Sequence, residues 1–273
     1  RLRAALGWEP VPGSSRVSDW IEQHRHEFAP VITGPDEDAE PVYFDFSVAS
    51  LEFDPTSLTV PGHAAEALWK ATGDGVSIGR WNEPRLAYTG AAYGTLSGER
   101  RTVHIGVDLF RQEGTPVCAP LDGIVHSTCI SHDQFDYGGC VLLEHRPDEA
   151  PVFWTLYGHL SHDSVLQLEK GQRIRSGEAF VQLGAFEENG GWVPHLHFQI
   201  VTDRLDLEGT FPGVAAPSQL ATWLSLSPSP KNLLGLDGRV DTPPRLSTED
   251  LMVRRREHIS STLSVSYARK LHI

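Results

Sequence analysis

Two short runs hold the residues best suited to chemistry: His195-Leu196-His197 and His104-Ile105-Gly106-Val107-Asp108. Side chains two apart on a strand share a face, so the H-x-H run presents two imidazoles side by side. A histidine and an aspartate four apart also share a face, on either a strand or a helix. Imidazole nitrogen and carboxylate oxygen are ligands for a borderline cation such as zinc. Three such ligands with a fourth position left open make a catalytic metal site rather than a structural one. A further histidine, His159, follows the apolar run Val152-Phe153-Trp154-Thr155-Leu156 as its polar end.

The elements that must position these groups read as strands. Leu196, Phe198 and Ile200 alternate with His195, His197 and Gln199, the pattern of a half-buried strand with a polar histidine face. Gly106 and its β-branched neighbours favour a strand running into a turn around His104 and Asp108. From about residue 101 to 203, short β-rich runs are separated by glycine and proline turns. The expected strands are 102–104, 123–130, 140–144, 152–157, 179–183 and 195–202. This texture predicts a compact, mostly β domain with an antiparallel sheet.

The flanks differ. Residues 14–28 carry Val17, Trp20, Ile21, His24 and Phe28 at helical spacing. Residues 33–40 read as an acidic loop, 43–48 as a strand, and 64–71 and 217–226 as short helices. Ser247-Thr248-Glu249-Asp250 has the form of a helix start. The boundaries that follow are 1–30 for an N-terminal linker and helix, 31–99 for an accessory segment packed on the core, and 100–205 for the core. Residues 206–246 are an extension and linker, and 247–273 the start of another domain. Arg80-Trp81-Asn82-Glu83 and Tyr93-Gly94 are candidates for a groove wall.

The 273 residues carry a net charge of −13, from 36 acids and 23 bases. That balance disfavours nucleic acid and anionic membrane surfaces, both of which attract basic proteins. No apolar run approaches the roughly 18 residues needed to span a bilayer as a helix. Cys118, Cys129 and Cys140 have no C-x-x-C spacing, and their odd number argues against a disulfide framework and for a reducing cytosol. The chain opens on Arg1 without a methionine and is read as a piece of a longer product.

Taken together, the H-x-x-x-D, Gly158-His159-Leu160 and H-x-H runs resemble the LytM/lysostaphin-like zinc metallopeptidases. Gly114-Thr115-Pro116-Val117, Ala119-Pro120, Asp122-Gly123-Ile124-Val125 and Gly171-Gln172-Arg173-Ile174 add to the likeness, which covers about residues 100–203. The resemblance implies a mainly β, β-rich α+β fold: a twisted antiparallel sheet with peripheral short helices and a groove above it. It implies one zinc ion held by His104, Asp108 and His197, with His159 and His195 as catalytic histidines that do not bind it. Of the remaining histidines, His145 is a candidate to stand behind the ligands. His126, His132 and His162 lie in the same β region but outside the motif, while His24, His26, His63, His258 and His272 are read as solvent or packing groups.

The tail from Leu251 to Tyr267 resembles the opening of class-III, pyridoxal-phosphate-dependent aminotransferase and phospho-lyase domains. This suggests a fusion in which a kinase-like domain, a LytM-like domain and an aminotransferase-like domain share one polypeptide. Pyridoxal phosphate would then belong only to that downstream domain. The reading favoured is a cytoplasmic zinc amide hydrolase acting on a peptide or small amide, with no nucleic-acid or membrane partner. Its alternatives are an inert metal-binding scaffold between two enzyme domains, and an exported peptidoglycan endopeptidase.

Overall fold

A computed structural model describes residues 10–32, 39–48, 50, 68–70, 73, 75–85, 87–88, 93–95, 98–207 and 209–241. Its strands in chain order are β1 (Val42–Tyr43), β2 (Ser77–Gly79), β3 (Glu83–Pro84), β4 (Val103–His104), β5 (Val107–Phe110), β6 (Pro116–Cys118) and β7 (Gly123–Ile130). They continue with β8 (Gly139–His145), β9 (Phe153–Leu160), β10 (Arg173–Ile174), β11 (Ala179–Gln182), β12 (His195–Val201) and β13 (Val214–Ala215). The helices are short: α1 (Ser15–Gln23), α2 (His162–Leu166) and α3 (Leu220–Leu226). The expected fold class, a mainly β protein with a large antiparallel sheet and peripheral helices, is what the chain forms.

Eight strands make the main sheet in the order β1-β2-β5-β12-β9-β8-β7-β10. Every pairing is antiparallel except β1 with β2, which is parallel. Strand alternation sorts the side chains. Val107 and Leu109 of β5, Val141 and Leu143 of β8, and Leu196, Phe198 and Ile200 of β12 face one core. Val17 and Ile21 of α1 cover that core, and Trp20 packs at a tilt against Phe153 with ring centroids 6.1 Å apart. Burying each such aliphatic side chain contributes roughly 1.5–3 kcal/mol. The opposite face of β5 and β12 carries Asp108, His195, His197 and Gln199. That polar set is buried as well, because further chain closes over it.

The cover comes partly from a second, three-stranded sheet, β13-β4-β3. Glu83 lies opposite His104 in β3–β4, and Val214 opposite His104 in β4–β13. His104 and Asp108 therefore do not share one strand. The chain leaves β4 after His104, turns through Ile105-Gly106, and enters β5 of the main sheet. Their common face is made by a corner between two sheets.

Two flanking elements are shorter than periodicity predicts. The helix expected over 14–28 ends at Gln23, where the His24 backbone N–H and ring Nδ1 both bond Trp20 O, at 3.1 and 2.8 Å. Phe28 still packs beside Trp20, at 6.0 Å between centroids, but from irregular chain beyond the turn at 24–26. The strand expected over 43–48 pairs only at Val42–Tyr43. Beyond it the Phe46 N–H leaves the ladder for Glu83 Oε1 at 3.1 Å. Residues 68–70 are helical, and the rest of the helix expected over 64–71 lies outside the described residues. So does the stretch 247–273 with its aminotransferase-like pattern. No described helix is long and apolar enough to cross a membrane.

Candidate metal centre

His197 lies directly opposite Asp108 in the β12–β5 ladder, and His195 opposite Phe110. The β4–β5 corner carries His104 over the same point. His104 Nε2, His197 Nδ1 and Asp108 Oδ1 then form a triangle with edges of 3.0, 3.1 and 3.3 Å. All three residues are at most 3% exposed.

The hydrogen bonds around the triangle decide what it can hold. His104 Nδ1 meets the backbone oxygen of Arg80 at 2.9 Å, and a carbonyl can only accept, so the proton is on Nδ1. The Gln199 amide donates from Nε2 to Ser227 Oγ at 2.7 Å and to Pro212 O at 3.1 Å, which turns its oxygen Oε1 to His197 Nε2 at 2.9 Å. The His197 proton is therefore on Nε2. Both inward nitrogens are left with lone pairs, facing each other and Asp108 Oδ1, a buried oxygen with no hydrogen-bond donor. Three electron pairs at such spacing repel unless a cation sits among them. Two imidazole nitrogens and one carboxylate oxygen fit zinc, and edges near 3 Å suit ligand–zinc distances of about 2.0–2.2 Å.

Electrostatics agree. Burial, then the Arg85 guanidinium, push His104 down to about 4, so its ring is neutral at neutral pH and free to ligate. Burial pushes Asp108 up, but the charged groups around it, the Arg85 guanidinium on Oδ2 among them, outweigh it and hold the carboxyl well below its usual range.

His159 and His195 stand beside the triangle, with ring centroids 4.3 Å apart. His195 donates from Nδ1 to Val193 O at 2.6 Å, and its Nε2 lies 3.6 Å from Asp108 Oδ1. His159 donates from Nδ1 to Asn189 O at 2.8 Å. Each ring thus keeps an Nε2 lone pair. Burial lowers both pKa values, and for His159 the neighbouring His195 and His197 add to it.

His159 reaches this side of the sheet through a break in strand alternation. Phe153 and Tyr157 of β9 face the core under α1, so strict alternation would turn His159 there too. The β8–β9 register shifts between Gly139 and Val141, and His159 takes φ +64. A non-glycine residue in that region is uncommon and costs of order 1–3 kcal/mol, which the surrounding hydrogen bonds sustain. The bulge turns His159 to the site and returns Leu160 to the core.

A cavity of about 400 Å³ opens over the site. Tyr88, Tyr93, Phe135, Trp192 and Phe211 line it, with Arg101 and Asp136 among its polar groups. Tyr93, one of the two groove-wall candidates, is in this lining, and its OH donates to Phe135 O at 2.6 Å. The other, Arg80-Trp81-Asn82-Glu83, is not, and its Glu83 is fully buried behind the ligands.

All five residues singled out from sequence are brought together here. His145 is not. It pairs with Phe153, six residues before His159 on β9, or roughly 20 Å along a strand. It bonds Asp122 O at 2.9 Å and Thr155 Oγ1 at 2.7 Å instead. Sequence reasoning missed Arg85 and Asn189, and it took Glu83 for part of a groove wall rather than a buried partner of Arg85. It placed Gln199 on the histidine face, and the signal for its role was that shared face.

Comparison with known proteins locates the likeness. Residues 102–208 match the model of Peptidase family M23. An uncharacterized metalloprotease of Haemophilus influenzae is 34% identical over 96 residues, 35% of this chain and 18% of that protein. The DD-carboxypeptidase/endopeptidase Mpg of Neisseria meningitidis is 33% identical over 97 residues, 36% of this chain and 20% of that protein. The chain thus spans about a fifth of the length of these relatives. Among solved structures, the catalytic domain of lysostaphin from Staphylococcus simulans is 22% identical, covering 59% of this chain and 98% of that one, with a TM-score of 0.34. The metallopeptidase resemblance read from the motifs is borne out for residues 102–208. The kinase-like and aminotransferase-like neighbours are not addressed by these matches.

Proposed function

We propose that residues 102–208 are a zinc-dependent metallopeptidase domain that hydrolyses a peptide or small amide. One observation carries the proposal. Three lone pairs from His104, Asp108 and His197 converge within 3.3 Å while both outer imidazole protons are committed elsewhere. Zinc held there would polarise the scissile carbonyl and acidify a water molecule.

The chain's own groups supply the rest. His159 and His195 offer neutral Nε2 atoms, each suited to accept the proton that the attacking water gives up. Once protonated, the same atom can donate to a developing oxyanion or to the leaving amine. The carbonyls of Asn189 and Val193 hold these rings by Nδ1, so both meet the substrate with the same nitrogen. The aromatic lining offers flat surfaces to a peptide.

The finer reading is a cytoplasmic, multidomain enzyme acting on a small amino compound. Its supports are the aminotransferase-like tail, the three free cysteines and a groove volume at the small-molecule end of the usual range. Kinase-like and aminotransferase-like domains, the latter with its pyridoxal phosphate, would be its covalent partners. The Neisseria relative, a DD-carboxypeptidase/endopeptidase, favours a second reading: an exported enzyme that cuts wall peptides.

The deciding experiment measures zinc content and turnover together. Purified chain is assayed on short glycyl amides and dipeptides and on purified peptidoglycan, each with a chelator control. Chelator-sensitive cleavage of the short amides supports the first reading, and rapid clearing of peptidoglycan with no turnover of amides supports the second. Stoichiometric zinc without cleavage of either substrate would leave only a binding scaffold.

A further inference from the structure

Asp108 has two carboxylate oxygens, and the chain treats them differently. Oδ1 faces the imidazoles of His104 and His197. Oδ2 accepts a hydrogen bond from Arg85 Nη1 at 2.5 Å. Arg85 lies ahead of the 102–208 stretch that carries the family likeness, and it is 2% exposed. Its Nε donates to Glu83 Oε2 at 2.7 Å, and its Nη1 also reaches Tyr88 OH at 3.2 Å. Glu83 is in turn held by the Phe46 N–H on Oε1.

Strand pairing builds this arrangement. Glu83 sits opposite His104 in β3–β4, so each member of the Glu83–Arg85 pair stands next to one ligand. On the other side, Gly79 of β2 lies opposite Asp108. A Cβ at Gly79 would fall 2.8 Å from Arg85 Nη2 and 3.2 Å from Asp108 Cβ. The missing side chain is the space the guanidinium fills.

We propose that Arg85, braced by Glu83, is a positioning residue that makes Asp108 bind metal through Oδ1 alone and in one orientation. The proposal rests on the metal reading of His104, Asp108 and His197. A carboxylate free at both oxygens can rotate about Cβ–Cγ or chelate through both. A guanidinium N–H on Oδ2 removes both choices. The planar fork matters, because lysine has one nitrogen and cannot hold Glu83 and Asp108 in fixed relation. Charge and position act with opposite sign here. As a mere cation, Arg85 repels a metal ion, so deleting it would tighten binding. As a positioning group it aids binding, so deleting it weakens binding.

Arg85→Met alone leaves the buried Glu83 charge to the more distant Arg80 guanidinium, at 3.9 Å, and is expected to destabilise the fold. The test therefore compares the parental chain with the double variant Glu83→Gln/Arg85→Met and with Arg85→Lys. Folding is checked by near-ultraviolet circular dichroism and thermal unfolding without metal. Zinc is then titrated against a chromogenic chelator. The double variant is expected to fold and to bind zinc roughly 10–100-fold more weakly, the usual effect of losing a group behind a ligand. Arg85→Lys should fall between it and the parental chain. Equal or tighter zinc binding by the folded double variant overturns the positioning role and leaves the metal reading intact. Should the double variant not fold, parental affinity in Arg85→Lys overturns it. Failure of the parental chain to bind zinc overturns the metal reading, and the role of Arg85 with it.

Discussion

Gln199 Oε1 takes the Nε2 proton of His197 at 2.9 Å, and this bond turns Nδ1 of the same ring to His104 and Asp108. A residue two places along β12 thereby sets both the tautomer and the aim of a candidate metal ligand. Gln199 is itself oriented by Ser227 and Pro212, so the constraint extends to the chain after β12. Gln199→Leu removes the acceptor at almost the same volume. It is expected to weaken zinc binding roughly 10–100-fold in a protein that still folds. Chelator competition reads the affinity, and unchanged affinity would show that the ring holds its aim without Gln199.

Ligands and proton-handling histidines separate by variant. His197→Ala should lose zinc. His159→Ala and His195→Ala should retain it, yet each should lower turnover by about 10² or more. Metal analysis beside kcat distinguishes them. Equal zinc loss in all three would mean that roles have been exchanged between the two sets.

Gly106 lies under the His197 ring, and a Cβ there would sit 2.5 Å from Cε1 and 2.6 Å from Nε2. Gly106→Ala must push the ring off Gln199, or the corner off the sheet. It is expected to cost about 1–3 kcal/mol of stability, as overpacking does, and to weaken zinc binding. Gly238→Ala meets nothing within 4 Å and is the control, with zinc affinity unchanged. Parental zinc affinity in Gly106→Ala would contradict the packing argument.

His145 makes stability depend on pH away from the site. Burial pushes its pKa from 6.5 down to about 4, with the backbone of Asp122 pulling the other way. The unfolded chain then binds more protons between those values, so stability rises with pH across the window and is lost as pH falls from 6.5 towards 4. The difference corresponds to about 3 kcal/mol at most. His145→Asn should lower stability at pH 7 but flatten this acid slope. Chemical denaturation at several pH values measures it, and an unchanged slope would exclude His145 as a source.

What the sequence determined by itself was local. Alternation in 195–201 assigned one face to imidazoles and the other to the core, and β7 was legible to the residue because its turns are glycine- and proline-marked. The five site residues could be named because their motifs recur in a known order along the chain. Tertiary structure decided the rest. His104 and Asp108 come from two sheets that meet at a corner, which their spacing of four does not reveal. His159 faces the site only because a bulge with φ +64 breaks the alternation that sequence patterns assume. Arg85 and Glu83 carry no motif. They reach Asp108 and the neighbourhood of His104 through strand pairings between residues about 20 or more apart, and burial then leaves the guanidinium little to bond except those carboxylates. Patterns of period two record which way a side chain points. Which other side chain it meets depends on how strands pair across the sheet, and that is settled by packing the whole core at once.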